Sequence, residues 1–212
     1  MKGIKLVIFD LDGTLIDAYD AITHSFNYTM VRCGYPQLKP LVIRRAVGWG
    51  DKNLFKPFMK KCDLDKALSI YRRHHSLSLV KYSRLLKGSR MILGYLKKKG
   101  YHLAVASNRP TRFSHILLKH LELDGYFDYV LCADKLKQGK PHPEILQKIM
   151  RKFDVGPLET FYIGDMPIDA QAAKRSGVRA AIVTTGSATK KEIRLEKPYR
   201  IISGISGLKN IL

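Results

Sequence analysis

A series of short apolar runs, each followed by a helical pattern, constrains the fold of this chain most. Residues 4–9 form such a run, rich in β-branched side chains, with the composition of a strand buried on both faces. Similar runs recur at residues 102–106, 129–132, 160–163 and 180–184, and Ile201-Ile202 offers a short edge. Between them, apolar positions at three- and four-residue intervals predict helices over 89–99, 112–121, 143–153 and 168–176. Gly100 and Gly177 stand where two of these helices must stop, the usual place for a left-handed residue. Strand and helix in alternation imply a parallel sheet, which must be covered on both faces. The expected fold class is α/β, a Rossmann-like parallel sheet core with helices on both sides.

The alternation breaks between about residues 17 and 84. This stretch predicts successive helices over 18–32, 41–47, 52–61 and 65–79, with Ile22, Phe26 and Met30 on one face of the first. Nothing in it has the pattern of a central strand. The expected organisation is an α/β core, residues 1–16 and 85–212, with an inserted α-helical cap, residues 17–84. Two linkers, near Ile16 and Ser83-Arg84, would join them. A chain of 212 residues can build one good core and a small inserted module.

Composition narrows the classes of function. No apolar run reaches the ~20 residues that cross a bilayer. The N-terminal run stops at Asp10, short of a signal peptide, so a cytoplasmic protein without a membrane partner is expected. Cys33, Cys62 and Cys132 are far apart and form no C-x-x-C pair, which predicts free thiols and argues against a zinc or redox centre. The 38 basic and 18 acidic residues give a net charge of +20, a balance that favours anionic partners, either small phosphorylated molecules or nucleic acid. The basic residues are dispersed over helix positions expected to face solvent, as at Lys97-Lys98-Lys99 and Lys190-Lys191. A solvated surface is therefore the expected reading, and nucleic acid is not the expected partner.

In an open parallel sheet, ligands bind beyond the carboxyl ends of the strands, near the point where strand order reverses. The segments that follow the predicted strands are Asp10-Leu11-Asp12-Gly13-Thr14, Ser107-Asn108-Arg109, Gly139-Lys140-Pro141 and Gly164-Asp165-Met166-Pro167-Ile168-Asp169. Together they bring carboxylates, a hydroxyl, an amide and a lysine to one edge. Asp10, Asp12, Asp165 and Asp169 would repel one another without a cation between them, and these four are the candidate metal residues. Oxygen ligands without a His or Cys cluster select a hard ion, and Mg²⁺ is the expected cofactor beside a phosphate.

These segments resemble the four motifs of the haloacid dehalogenase (HAD) superfamily: D-x-D-G-T, a Ser or Thr after the second strand, a Lys, and G-D-x-x-x-D. The resemblance runs from Lys5 to about Gly186 and includes the insertion point of a helical cap. Phe9-Asp10-Leu11-Asp12-Gly13-Thr14-Leu15-Ile16-Asp17 and Gly139-Lys140-Pro141-His142-Pro143-Glu144 are similar to phosphoglycolate phosphatases and their near relatives. The resemblance implies a HAD-like fold and Mg²⁺-dependent hydrolysis of a small phosphate monoester through an aspartyl phosphate on Asp10. It implies Mg²⁺ held by the side chains of Asp10 and Asp165 and by the main-chain carbonyl of Asp12, with Asp169 supporting the metal from behind. Lys140 would neutralise the nucleophile and a phosphate oxygen. Ser107, with the amides near Leu11 and Asn108, would bind the phosphate. Asp12 would protonate the leaving alcohol and then deprotonate the hydrolytic water. Relatives that cleave carbon–halogen bonds generally lack an acid at that position, and ion-pumping ATPases carry Thr there, so Asp12 argues against both branches.

In this family the cap supplies much of the substrate specificity. Val47-Gly48-Trp49-Gly50-Asp51-Lys52, between two predicted cap helices, is the candidate substrate loop, with Gly48 and Trp49 as candidate contacts. The alternative is a Gly-rich helix connection with Trp49 packed as core. Arg45 and Lys52 are candidate partners for a substrate carboxylate. His142 is a pocket-lining or helix-start residue, Asp17 a helix cap or hinge contact, and Thr14 a residue that shapes its loop. A small phosphorylated metabolite is the expected partner, and a monomer or homodimer the expected assembly. A phosphomutase, a pyrophosphatase or a nucleotidase would use the same core residues. The non-enzyme alternative is a basic nucleic-acid-binding module, which the presence of Asp10 and Lys140 opposes. Two departures bear on the substrate: Arg109 stands where relatives more often carry Lys, and Met166-Pro167-Ile168 makes the last loop less polar than usual.

Overall fold

The computed structural model describes residues 3–212. Along the chain run β1 (Leu6–Phe9), β2 (Ile16–Asp17), α1 (Tyr19–Arg32), α2 (Pro40–Ala46), α3 (Asp51–Leu54), α4 (Leu64–Tyr82) and β3 (Arg84–Leu85). There follow α5 (Ser89–Lys98), β4 (His102–Ser107), α6 (Thr111–His120), β5 (Tyr129–Cys132), α7 (Glu144–Lys152) and β6 (Thr160–Gly164). The chain ends with α8 (Pro167–Arg175), β7 (Arg179–Val183), α9 (Lys190–Leu195) and β8 (Arg200–Ile202).

All four residues of β1 are fully buried, and their side chains alternate between two apolar layers. Val7 and Phe9 pack with Leu93 of α5 and Leu117 of α6. Leu6 and Ile8 pack on the opposite face with Leu146 of α7 and Ala173 of α8. A strand apolar on both faces can only sit inside such a sandwich, which is why the short run at β1 is the centre of the fold. The sheet has six strands in the order β5-β4-β1-β6-β7-β8, every pair parallel. Phe9 lies level with Val105 of β4 on one side and Ile163 of β6 on the other. The chain runs outward from β1 through β4 and β5, then crosses back to β6 and runs outward again. Strand order therefore reverses at β1, and the carboxyl ends of β1, β4 and β6 lie side by side.

Residues 18–83 leave the sheet between β2 and β3 and fold around a separate apolar cluster that includes Phe26, Met30, Ile43, Phe55 and Tyr71. Phe26 stacks on Phe55 with ring centroids 4.6 Å apart. The two linkers pair as an antiparallel ribbon, Ile16 with Leu85 and Asp17 with Arg84, which the sequence reading did not anticipate. Asp17 accepts a 2.8 Å hydrogen bond from Arg84 Nη2 across the ribbon and a longer one from the Tyr19 amide, so it serves both as hinge contact and as partner of the first turn of α1.

Two other elements differ from expectation. The helix predicted over 52–61 shrinks to α3, because Pro57 has no N–H to continue the ladder and disfavours helix in the residue before it. The unexpected α9 begins at Thr189, which accepts from the Glu192 amide while the Glu192 carboxylate accepts from the Thr189 amide, a reciprocal cap readable as T-x-x-E. Gly100 and Gly177 do take left-handed backbone, at φ +81° and +71°. Among the described residues no helix is long and apolar enough to cross a membrane.

Candidate active site

Asp10 follows β1 directly, and its amide donates to the Ile163 carbonyl of β6, so the sheet register itself sets the carboxylate at the reversal point. From β4 come Ser107, Asn108 and Arg109. From the loop after β5 comes Lys140, and from the end of β6 and the start of α8 come Asp165 and Asp169. Asp10, Ser107, Lys140, Asp165 and Asp169 are all buried.

Lys140 Nζ donates to Asp10 Oδ1 (2.8 Å), Asp169 Oδ1 (2.8 Å) and the Tyr162 hydroxyl (3.0 Å), which uses all three of its protons. Burial works against the ammonium, but the Asp10 and Asp169 carboxylates outweigh it and hold Lys140 above its ordinary value. The same burial pushes the Asp10 carboxyl up to about 6, with Lys140 opposing and Asp169 adding to the rise. Asp10 is thus charged at neutral pH, desolvated, and held at one oxygen only. Asp169 is committed on both sides: Oδ1 accepts from Lys140 and from Tyr162 (2.7 Å), and Oδ2 accepts from the amides of Asp165 and Met166. It braces Lys140 and the turn that carries Asp165.

Carboxylate oxygens of Asp10, Asp165 and Asp169 lie within 4.8 Å of one another, all buried. Burial, then Asp169 and Asp10, push Asp165 well above the usual carboxylate range. Its Oδ1 accepts from Thr14 Oγ1 at 3.2 Å, while its buried Oδ2 has no partner among the described residues. A buried, unpartnered carboxylate oxygen between two other carboxylates calls for a cation. The backbone is shaped to leave room around it. A Cβ on Gly13 would lie 2.8 Å from Asp165 Cγ, and one on Gly186 would lie 2.5 Å from it. The residues present therefore fit a hard divalent ion bound through oxygen.

Asp12 is placed differently. Its carboxylate lies outside that trio and is gripped by Arg109, with Nε donating to Oδ2 (2.9 Å) and Nη2 to Oδ1 (2.6 Å). Of the metal residues expected from sequence, three converge by their side chains. Asp12 could contribute only its main-chain carbonyl.

A cavity of about 60 Å³ opens over Asp10, Asp12, Ser107, Arg109 and Lys140. Its far wall comes from the helical insert and includes Ile22, Val47, Gly48, Leu54 and Tyr71. Gly48 also accepts a 2.9 Å hydrogen bond at its carbonyl from Asn108 Nδ2. Asn108 further bonds the Lys140 main chain, donating to its carbonyl (3.0 Å) and accepting from its amide (2.8 Å). The Asn108 side chain thus ties the insert loop and the Lys140 loop together and has no free group for a phosphate. Trp49 is neither core nor part of this inner cavity; it is 48% exposed and lines an outer one with Lys52. Arg45 forms a bidentate pair with Glu192 and bonds the Ser187 carbonyl, so it is engaged on the core surface and not at the cavity. His142 accepts from the Glu144 amide at the start of α7, the helix-start role.

The model of the haloacid dehalogenase-like hydrolases matches residues 7–183. The chain belongs to this family. A phosphoglycolate phosphatase of Pseudomonas putida is 30% identical over 96% of the chain and 78% of its own length. One from Aquifex aeolicus is 30% identical over 86% of each. A crystal structure described as a predicted phosphoglycolate phosphatase from Haemophilus somnus superposes with a TM-score of 0.93 at 26% identity, covering 100% of this chain and 99% of that one. Within this haloacid dehalogenase-like site, Asp10, Asp12, Ser107, Arg109, Lys140 and Asp169 line one cavity, and Asp165 lies beside Asp10 and Asp169.

Sequence reasoning missed the residues that complete it. Tyr162 sits inside a strand that reads as uniformly apolar, yet its hydroxyl joins Lys140 and Asp169. The signal available was position: it lies two residues before Gly164, on the face opposite Ile163. His75, Tyr71 and Tyr19 come from the insert, and no motif spacing marks them.

Proposed function

We propose that this protein is a Mg²⁺-dependent phosphatase of small phosphate monoesters, working through an aspartyl phosphate on Asp10. The observation that carries the reading is the buried Asp10–Lys140–Asp169 triad beside the unpartnered Asp165 Oδ2, at the reversal of the sheet. A charged carboxylate in that setting is a nucleophile, since Lys140 holds only Oδ1 and no described residue bonds Oδ2. Asp10, Asp165 and the Asp12 carbonyl would hold the ion, which supplies positive charge against that developing on the transferring group.

The chain's own groups then divide the work. Asp10 attacks phosphorus, and Lys140 offsets charge on the nucleophile and on a phosphate oxygen. The Ser107 hydroxyl, at the cavity wall, donates to another oxygen. Asp12 gives a proton to the departing alkoxide and afterwards takes one from the water that attacks the aspartyl phosphate, returning phosphate and the free carboxylate. The helical insert acts as a cap: its apolar wall keeps water from the cavity while the first step occurs. The small cavity suits a compact ester, and 2-phosphoglycolate heads the candidates because the relatives bear that name.

The test is a panel of phosphorylated metabolites assayed for phosphate release with Mg²⁺, with and without chelator, against Asp10→Asn. Wild type should lose activity on chelation, and Asp10→Asn should fall by several orders of magnitude at unchanged fold. Equal phosphate release by wild type and variant would remove Asp10 as nucleophile. Isomerisation of a sugar phosphate without net phosphate release would make the protein a mutase instead.

A further inference from the structure

Arg109 reaches from the site into the interior of the insert. Its guanidinium is buried and carries three hydrogen bonds, two to Asp12 and one from Nη1 to His75 Nε2 at 2.9 Å. His75 belongs to α4, the last helix of the insert, and is 1% exposed. Tyr71 stacks on its ring at 4.6 Å, and Phe113 of α6 meets it edge-on at 5.0 Å. Ser25 Oγ of α1 lies 3.1 Å from Nδ1.

The chemistry of the partners assigns the imidazole. A guanidinium donates only, so Nε2 must accept, and the proton of a neutral ring then sits on Nδ1 and is given to Ser25. Burial and the Arg109 charge both hold His75 well below its ordinary value, in agreement with a neutral ring. A buried histidine that is only core would have no need of a cation at hydrogen-bonding distance. The two-point pair with Asp12 fixes the fork against the carboxylate, and the third bond ties that fork to α4.

We infer that His75 is a positioning residue for acid–base catalysis: by accepting from Arg109 it fixes the guanidinium fork, and the fork fixes the Asp12 carboxylate over the cavity. This rests on the reading of Asp12 as acid and base given above. It also makes the insert a contributor to the chemistry and not only a cover. Through Arg109 the carboxylate is tied to α4, so the insert helps hold the proton donor in place.

The experiment compares wild type, His75→Leu, His75→Gln and Asp12→Asn in single-turnover release of the leaving group with excess enzyme and Mg²⁺. Two esters are used: an alkyl phosphate active in the panel, and p-nitrophenyl phosphate, whose nitrophenolate departs without a proton. His75→Leu should slow release from the alkyl ester about 10–100-fold, part of the ~10²–10⁴ that acid–base catalysis supplies. It should slow the nitrophenyl ester far less and leave KM nearly unchanged. His75→Gln, with an amide oxygen near the Nε2 position, should recover most of the loss. If His75→Leu does not fold, His75→Gln and His75→Asn decide, since Asn can place its oxygen only near Nδ1: Gln should work and Asn should fail. Equal losses on both esters, or Gln no better than the variants lacking the acceptor, would overturn the inference. If Asp12→Asn shows the ester dependence and the His75 variants do not, the His75 role alone falls. If Asp12→Asn lacks it too, the acid–base reading falls and takes this one with it.

Discussion

Replacing Gly186 by Ala should impair metal binding without touching a single ligand. A Cβ there would stand 2.5 Å from Asp165 Cγ, whereas carbon atoms pack at about 3.5–4.0 Å, so about 1 Å must be found. The loop cannot easily lift away. Arg44 Nη2 donates to the Thr185 and Gly186 carbonyls at 3.1 Å, and the Thr185 hydroxyl donates to the Gly13 carbonyl. The carboxylate must yield, and its Oδ2 is the buried oxygen without a partner among the described residues, the one proposed to hold the ion. A misplacement of ~1 Å at a reacting centre costs about 10²-fold in rate. Gly186→Ala should therefore weaken Mg²⁺ affinity about 10–100-fold and reduce activity about as much. Calorimetric titration with Mg²⁺ and phosphate release at rising Mg²⁺ both read this directly. Gly94→Ala is the control: Gly94 lies mid-helix in α5, its Cβ would meet only Tyr126 at 3.9 Å, and the change should stabilise by about 0.5–1 kcal/mol. Wild-type Mg²⁺ affinity in Gly186→Ala would refute the view that Asp165 and its glycine surround form the metal seat.

Other expectations follow from the same geometry. The Asp10 carboxyl is raised from 3.8 to about 6, so the fold favours its protonated form; that advantage is complete below pH 4 and is lost as pH rises through about 6, costing about 3 kcal/mol. The melting temperature of the metal-free protein should accordingly fall between pH 4 and 7 relative to Asp10→Asn, and Mg²⁺ should close the gap; parallel curves would contradict the raised value. Arg45→Ala removes a surface pair with Glu192, so stability should change by less than about 1 kcal/mol and KM not at all; a large rise in KM would return Arg45 to the substrate. Phe26→Ala empties the centre of the insert and should cost about 3–5 kcal/mol in chemical denaturation.

The sheet and its chemistry were legible because both are local. A buried parallel strand needs a continuous apolar run, and the residue after it is placed by register; Asp10, Ser107 and Asp165 followed from that alone. The early stop of α3, ahead of Pro57, was equally local and was overlooked for the periodicity around it. The reciprocal cap at Thr189 and Glu192 was local too. What could not be read depends on contacts across long separations. The Asn108 side chain has the type of a phosphate ligand, but its amide group is spent on Gly48 and Lys140, partners visible only once the loops meet. Arg45 has the type of an anion reader, but Glu192 lies far along the chain. His75 carries no spacing signal, because its partner is Arg109, on a separate element far along the chain.

The ribbon of β2 and β3 has a consequence for how such a protein changes over generations. Because Ile16 lies beside Leu85, the chain departs for the insert and returns at one spot, and the sheet sees the same two ends whatever lies between. Residues 18–83 could be lengthened, shortened or replaced without disturbing strand order, since closing a longer excursion costs only about 0.6 kcal/mol per doubling. A sheet with a single doorway keeps its strand order while what lies beyond the door is free to change.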